Sequence, residues 1–221
     1  MSVLDSKPLA HVNLKHIDEV LLDSNGLLKV VDADLLRSFR FLELRLWARE
    51  NGVYQFITTE MIDWLRTYFD GRKGLEICAG KGTIGRTLGI ISTDSRLLQT
   101  NHGIVKSAMQ QFNEQPTNPP DDVLTFESNA AVNHFKPQVV VGAFVSQLYK
   151  PGENWDKIPS SAFGTDEELL YKKVSTYIMF GNINVHKHKR LFKKQHREYF
   201  FPWLFTRCED QSKNRVWVWT K

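Results

Sequence analysis

The chain has 221 residues, 42% of them hydrophobic and 24% charged, the proportions of an ordinary globular protein able to bury a sizeable core. No window approaches the roughly 18 consecutive apolar residues of a membrane span, and the most apolar run, Val139 to Val145, fits a buried strand. The net charge of +4 is uneven: HKHKRLFKKQHR, His186 to Arg197, holds six of the 29 Lys/Arg and no acid, which leaves 23 basic against 25 acidic residues elsewhere.

Two cysteines, Cys78 and Cys208, make neither a disulfide framework nor a metal-ligand spacing, so no metal is expected. MSVLDSKPLAHVNLKH lacks a secretory apolar region. A reducing, cytoplasmic setting is the expectation.

In chain order, EVLLDSNGLLKVV places apolar residues on both sides of Asn25-Gly26 and predicts a hairpin turn. From Asp34 to Glu50, Leu35, Phe39, Leu42 and Leu46 recur at helical spacing, and Gly52 follows as a stop. A second helix is expected from Thr58 or Thr59 to Phe69, with Ile62, Leu65 and Phe69 inward. LEIC then reads as a strand that feeds a glycine loop and a short helix, Thr83 to Leu88.

Alternation follows. Ile90–Thr93 reads as a strand ending at Asp94, Ser95–Phe112 as mostly helical, Val123–Phe126 as a strand, Asn129–Phe135 as a helix and Val139–Phe144 as a central strand. TDEELLYKKV predicts a helix with a Thr165/Glu168 capping box, and Thr176–Phe180 a fifth strand. REYFFPWLF and NRVWVWT form an antiparallel pair that gives the sheet an antiparallel edge, with Trp217 and Trp219 on one face. The expected fold is α/β: a mostly parallel sheet covered by helices, in residues 58–221, preceded by an N-terminal extension, residues 1–57, that can cover the cleft. Trp47, Trp64 and Trp155 read as core or lid aromatics.

The loop is GLEICAGKGTIG, Gly74 to Gly85, with Gly80-x-Gly82-x-x-Gly85. A glycine-rich strand-loop-helix lets backbone N–H groups approach a ligand, and an acid ending the next strand, here Asp94, can accept ribose hydroxyls. These features serve NAD and S-adenosylmethionine alike. Glu76, four residues before Gly80, suits a sulfonium or amino group better than a pyrophosphate. About 70 residues precede the loop, whereas a dinucleotide fold usually opens with it.

LEICAGKGTIG resembles motif I of the class I, Rossmann-like S-adenosylmethionine-dependent methyltransferases, and the likeness covers roughly Thr58 to Lys221. LGIISTDSRLLQ, FKPQVVVGAFV and YIMFGNINVHKHK are also similar to uncharacterised bacterial methyltransferase-like proteins. The resemblance implies a seven-stranded sheet with its last strand antiparallel and S-adenosylmethionine as cofactor. It implies that Glu76, Gly80 and Gly82 line the methionine part, that Asp94 holds the ribose, that Ser95 lies beside the adenine, and that Asn129 meets the adenine amino group. Two departures stand out: Cys78 occupies a position often held by glycine, and the spacing from Gly82 to Asp94 is short.

On the acceptor side, GAFVSQLYKPGENW lacks the Asn/Asp-Pro-Pro-aromatic element of many amino-methylating DNA enzymes, and no Pro-Cys nucleophile occurs. Asn182 is a candidate to orient a polar acceptor and His186 a candidate general base. Asp166 and Glu167, at the start of a helix on the cleft rim, are candidates to bind a cationic substrate. The leading expectation is methyl transfer to a small or modest polar acceptor. A different class is also open: a non-catalytic module gripping nucleic acid through Lys187, Lys189, Arg190, Lys193, Lys194 and Arg197. Arg207 is a further candidate for an anionic group.

Overall fold

The computed structural model describes residues 13–99, 115–149 and 164–221. Seven strands form one sheet: β1 (Gly74–Ile77), β2 (Ile91–Asp94), β3 (Leu124–Thr125), β4 (Val139–Ala143), β5 (Thr176–Asn182), β6 (Arg197–Tyr199) and β7 (Asn214–Thr220). Their order is β3-β2-β1-β4-β5-β7-β6. The first five pair in parallel, and β7 runs antiparallel to both β5 and β6. The α/β class and the closing antiparallel pair are as expected, with one difference. Strand β7 lies between β5 and β6, so the antiparallel strand is interior and β6 forms the edge. β5 also runs two residues beyond Phe180, because Gly181 and Asn182 find partners in Arg215 and Asn214.

Side chains alternate across the sheet as its pleat demands. Val139, Val141, Ile178, Phe180, Val216 and Val218 face one layer; Val140, Tyr177, Met179, Trp217 and Trp219 face the other. The first layer is built from α1 (Lys15–Leu21), α2 (Ala33–Arg37), α3 (Phe41–Glu50), α4 (Thr59–Phe69) and α5 (Thr83–Leu88). The second holds α6 (Ser128–Phe135) and α7 (Glu167–Tyr171), with Leu191 beyond the short α8 (Ile183–His186). Trp219 stacks on Tyr177 with centroids 5.4 Å apart, which places both late tryptophans in that second core.

Residues 14–57 share the first core with the sheet. The Asn25-Gly26 turn is closed by the Asp23 carboxylate, which accepts from the Asn25 and Leu27 N–H groups, and the hairpin reduces to one bridge, Leu22 to Leu28. The helix expected over 34–50 is two helices, broken at Ser38–Arg40. Its inward stripe is not the expected one: Leu35 and Leu42 are 39% and 56% exposed, while Ala33, Leu36, Leu44 and Trp47 are buried. The helix after Thr58 matches expectation, and the Thr58 hydroxyl caps it by accepting from the Met61 N–H at 3.2 Å.

The residue capping α7 is Asp166, whose carboxylate accepts from the Leu169 N–H at 3.1 Å; Thr165 is turned into the protein, so the expected Thr165 box is replaced. Most of the Ser95–Phe112 helix and Trp155 lie outside the described residues; Leu97–Gln99 form a single 3-10 turn. Among the described residues no helix is long and apolar enough to cross a membrane.

Candidate functional site

Strand β1 ends at Ile77, and the chain turns through Cys78 with φ +49° before the glycines. At Gly82, the residue that opens α5, φ is +67° and an added Cβ would lie 2.5 Å from Val123 Cγ2. At Gly85 a side chain would overlap the Ser92 hydroxyl and come within 2.9 Å of Glu76 Oε2. The first turn of α5 therefore presses directly on β1 and β2, and only glycine permits that approach.

Because α5 sits so close, Glu76 is buried beneath it. Its Oε2 accepts from the Gly85 N–H at 2.8 Å and the Ser92 hydroxyl at 2.7 Å. Burial pushes the carboxyl up to about 7, against the opposing pull of those two hydrogen bonds. Asp94, at the end of β2, accepts from the Gly80 N–H at 3.0 Å and the Arg96 N–H at 2.8 Å, pinning the loop to the neighbouring strand.

Cys78 Sγ lies 3.5 Å from Ser128 Oγ and 3.8 Å from Thr165 Oγ1, and the Thr165 hydroxyl donates to Ser128 at 2.9 Å. Burial pushes the Cys78 thiol up to about 11, so it is a neutral packing and hydrogen-bonding group and no nucleophile. Lys81, between the two glycines, is held below its ordinary range by burial.

These residues line one cavity of about 240 Å³ at the C-terminal ends of β1, β2 and β4. Its opposite wall comes from the N-terminal segment, through Leu28 and Gly52 to Gln55. Two hydrogen bonds tie that wall to the rest: Thr83 Oγ1 donates to the Leu28 carbonyl at 3.2 Å, and Thr117 Oγ1 to that of Gly52 at 2.6 Å. At the end of β4, Phe144 (φ +54°) meets Tyr54 with centroids 5.7 Å apart. The Arg207 guanidinium stacks 3.4 Å from the Tyr54 ring centre.

Of the residues expected at a site, Glu76, Gly80, Asp94 and Ser95 come together around this cavity. Gly82 lies behind it, against Val123. Asn129 is displaced: α6 begins at Ser128, one residue before the expected start, and Glu127 and Ser128 line the cavity in its stead.

His186 is not among the lining residues. It is buried against Gly181, Phe144 and Trp217, with Nδ1 3.0 Å from the Asn182 carbonyl. Burial, followed by the nearby Lys189 charge, drives its pKa down to about 3, so at neutral pH it is an uncharged packing group and a poor base. Asn182 is also committed: Nδ2 donates to the Asp210 carbonyl and Asn214 Oδ1, both at 2.9 Å, and Oδ1 accepts from the Asn184 N–H at 3.0 Å.

Asp166 serves as the α7 cap. Glu167 is buried in an ion pair with Lys189 and accepts from the Tyr177 hydroxyl at 2.8 Å. Lys189 thus leaves the expected basic surface, donating also to the Val145 carbonyl at 2.7 Å. Arg190 is likewise fixed, to the Leu148 carbonyl at 2.8 Å and to Glu168.

Sequence reasoning missed Lys81, Ser128, Thr165 and the Tyr54–Phe144 wall. Lys81 stood inside the motif itself, whereas Tyr54 is far from it in sequence. No family model matches the chain, and no curated protein matches it.

Proposed function

We propose that the chain is an S-adenosylmethionine-dependent methyltransferase that holds its cofactor around Gly80 and receives a polar acceptor past Tyr54 and Phe144. The observation that carries this reading is the meeting of Glu76, Gly80 and Asp94 at one cavity beside the β1–β4 junction, where the strand order reverses. Open α/β sheets take their ligands at such a point.

The residues present fit this ligand. Asp94 and Glu127 border the cavity with Glu76, which is partly ionised near neutral pH, and Lys81 is the cation beside them; this balance favours a ligand bearing positive charge over a pyrophosphate.

When bound, the cofactor supplies an electrophilic methyl group. Asp94 would accept ribose hydroxyls with the lone pairs that Gly80 and Arg96 leave over. Glu127 would take the place first expected of Asn129, beside the adenine. Methyl displacement needs alignment above all, and the Thr117 and Gly52 wall confines the ligand from above. The acceptor side at Phe144 and Ser146 holds no charged base among the described lining residues. The chemistry is assigned to positioning.

Calorimetric titration with S-adenosylmethionine, S-adenosylhomocysteine and NAD tests the reading. Micromolar binding of the first two, none of the third and at least about tenfold loss in Asp94→Ala are expected. Absence of binding by both sulfur ligands overturns it.

A further inference from the structure

Residues Thr117 to Pro120 run from the N-terminal wall to the end of β2. Arg96, just past that strand, anchors one end: its guanidinium donates to the Pro119 carbonyl at 2.8 Å, the Pro120 carbonyl at 2.9 Å and the Val123 carbonyl at 3.0 Å. Gln99 adds a bond to Asn118 on the same side. Thr117 makes the other end. It is buried between exposed Pro116 and Asn118, and its hydroxyl donates to the Gly52 carbonyl at 2.6 Å. A Cβ on Gly52 would lie 2.8 Å from Thr117 Cα, and one on Gly80 would lie 3.1 Å from Thr117 Cγ2. One side chain thus bridges the wall and the glycine loop, and all three residues line the cavity.

The two ends are held unequally. Three charge-assisted hydrogen bonds from Arg96 secure one, whereas a neutral hydroxyl–carbonyl bond, the weaker kind, secures the other. The wall is itself fixed from behind, since the Phe56 N–H donates to the Phe205 carbonyl at 3.0 Å and the Arg207 N–H to that of Tyr54 at 3.1 Å. The end free to swing is therefore Thr117. From this we infer that Thr117 is a latch: when its bond to Gly52 breaks, this edge of the cavity opens, and ligands enter and leave beside Gly80 by that route. That the traffic is the cofactor's rests on the methyltransferase reading; the latch itself does not.

Alkylation by iodoacetamide, followed by peptide mass spectrometry, tests the latch without any cofactor. Cys78 lines the cavity and Cys208 is not among the described lining residues, so the second thiol is an internal control. Loss of one neutral hydrogen bond should raise the open population roughly twofold to tenfold. In Thr117→Val, which keeps the shape and loses the hydroxyl, Cys78 should react faster by that factor and Cys208 at the parent's rate. Thr117→Ser, which keeps the hydroxyl, should match the parent. Surface plasmon resonance with S-adenosylhomocysteine should show association and dissociation both faster in Thr117→Val, with Kd nearly unchanged, because the latch closes over the free and the occupied cavity alike.

Cys78 labelling that is unchanged in Thr117→Val, or that quickens together with Cys208, overturns the latch. Faster Cys78 labelling with unchanged ligand rates overturns its part in ligand traffic. Faster Cys78 labelling in a chain that binds no S-adenosylhomocysteine supports the latch and overturns the methyltransferase reading alone.

Discussion

Replacing Glu76 by Gln should make the protein more stable at alkaline pH while weakening its site. The carboxyl is buried under α5, and burial raises its pKa from the ordinary 4.5 to about 7. The folded state therefore holds the proton more tightly than the unfolded chain. The stability this confers is complete below about 4.5 and is lost as pH rises through about 7; the full separation corresponds to about 3 kcal/mol. Gln has the same shape, its amide oxygen can keep the hydrogen bonds from Gly85 and Ser92, and it never ionises. Urea unfolding of both proteins at about pH 5 and about pH 8 should show the variant gaining up to about 3 kcal/mol on the parent between the two. At about pH 8, where Glu76 is largely ionised, S-adenosylmethionine affinity of the variant should fall, since a negative charge leaves the cavity wall; at about pH 5 the two proteins should bind alike. Identical pH dependence of stability in the two proteins would refute the argument that Glu76 ionises at a cost inside the fold.

Two further predictions concern packing. Gly85→Ala forces a methyl into the Ser92 hydroxyl and should cost about 2–3 kcal/mol; adding Ser92→Ala should recover at least about 1 kcal/mol of coupling in a urea double-mutant cycle, and strict additivity would count against the close approach of α5. Lys189→Met strands the Glu167 carboxylate in the interior and should cost about 3–5 kcal/mol, whereas Lys189→Met/Glu167→Leu should recover most of that loss in thermal unfolding. Equal losses in the single and double variants would mean that the pair is not buried as described.

The parts of the fold legible in the sequence were those governed by local chemistry. Thr58 before an apolar stripe announced its helix, and alternating strand and helix segments announced the parallel sheet. The break at Ser38–Arg40 was not legible. Periodicity allows either of two stripes in residues 33–50, and the choice of Leu36, Leu44 and Trp47 over Leu35 and Leu42 is made by the sheet they meet. The site divided in the same way. Glu76, Gly80 and Asp94 follow from their places at strand ends, whereas the fates of His186 and Lys189 depend on distant partners. Lys189 is buried because Glu167, 22 residues earlier, is there to pair with it. A charge run read alone gives no sign that one of its lysines turns inward.

The placing of β7 between β5 and β6 has a consequence for synthesis. As the chain emerges from a ribosome, β5 presents an unpaired row of backbone donors and acceptors until Asn214–Thr220 arrives to cover it. Pairing of β6 waits on the same seven residues, since β7 is its neighbour in the sheet. The aromatic layer of Tyr177, Trp217 and Trp219 closes at that moment as well. Completion of the sheet is thus a late, long-range step, and a nascent chain stalled before Asn214 would expose a hydrophobic strand edge of the kind that chaperones engage.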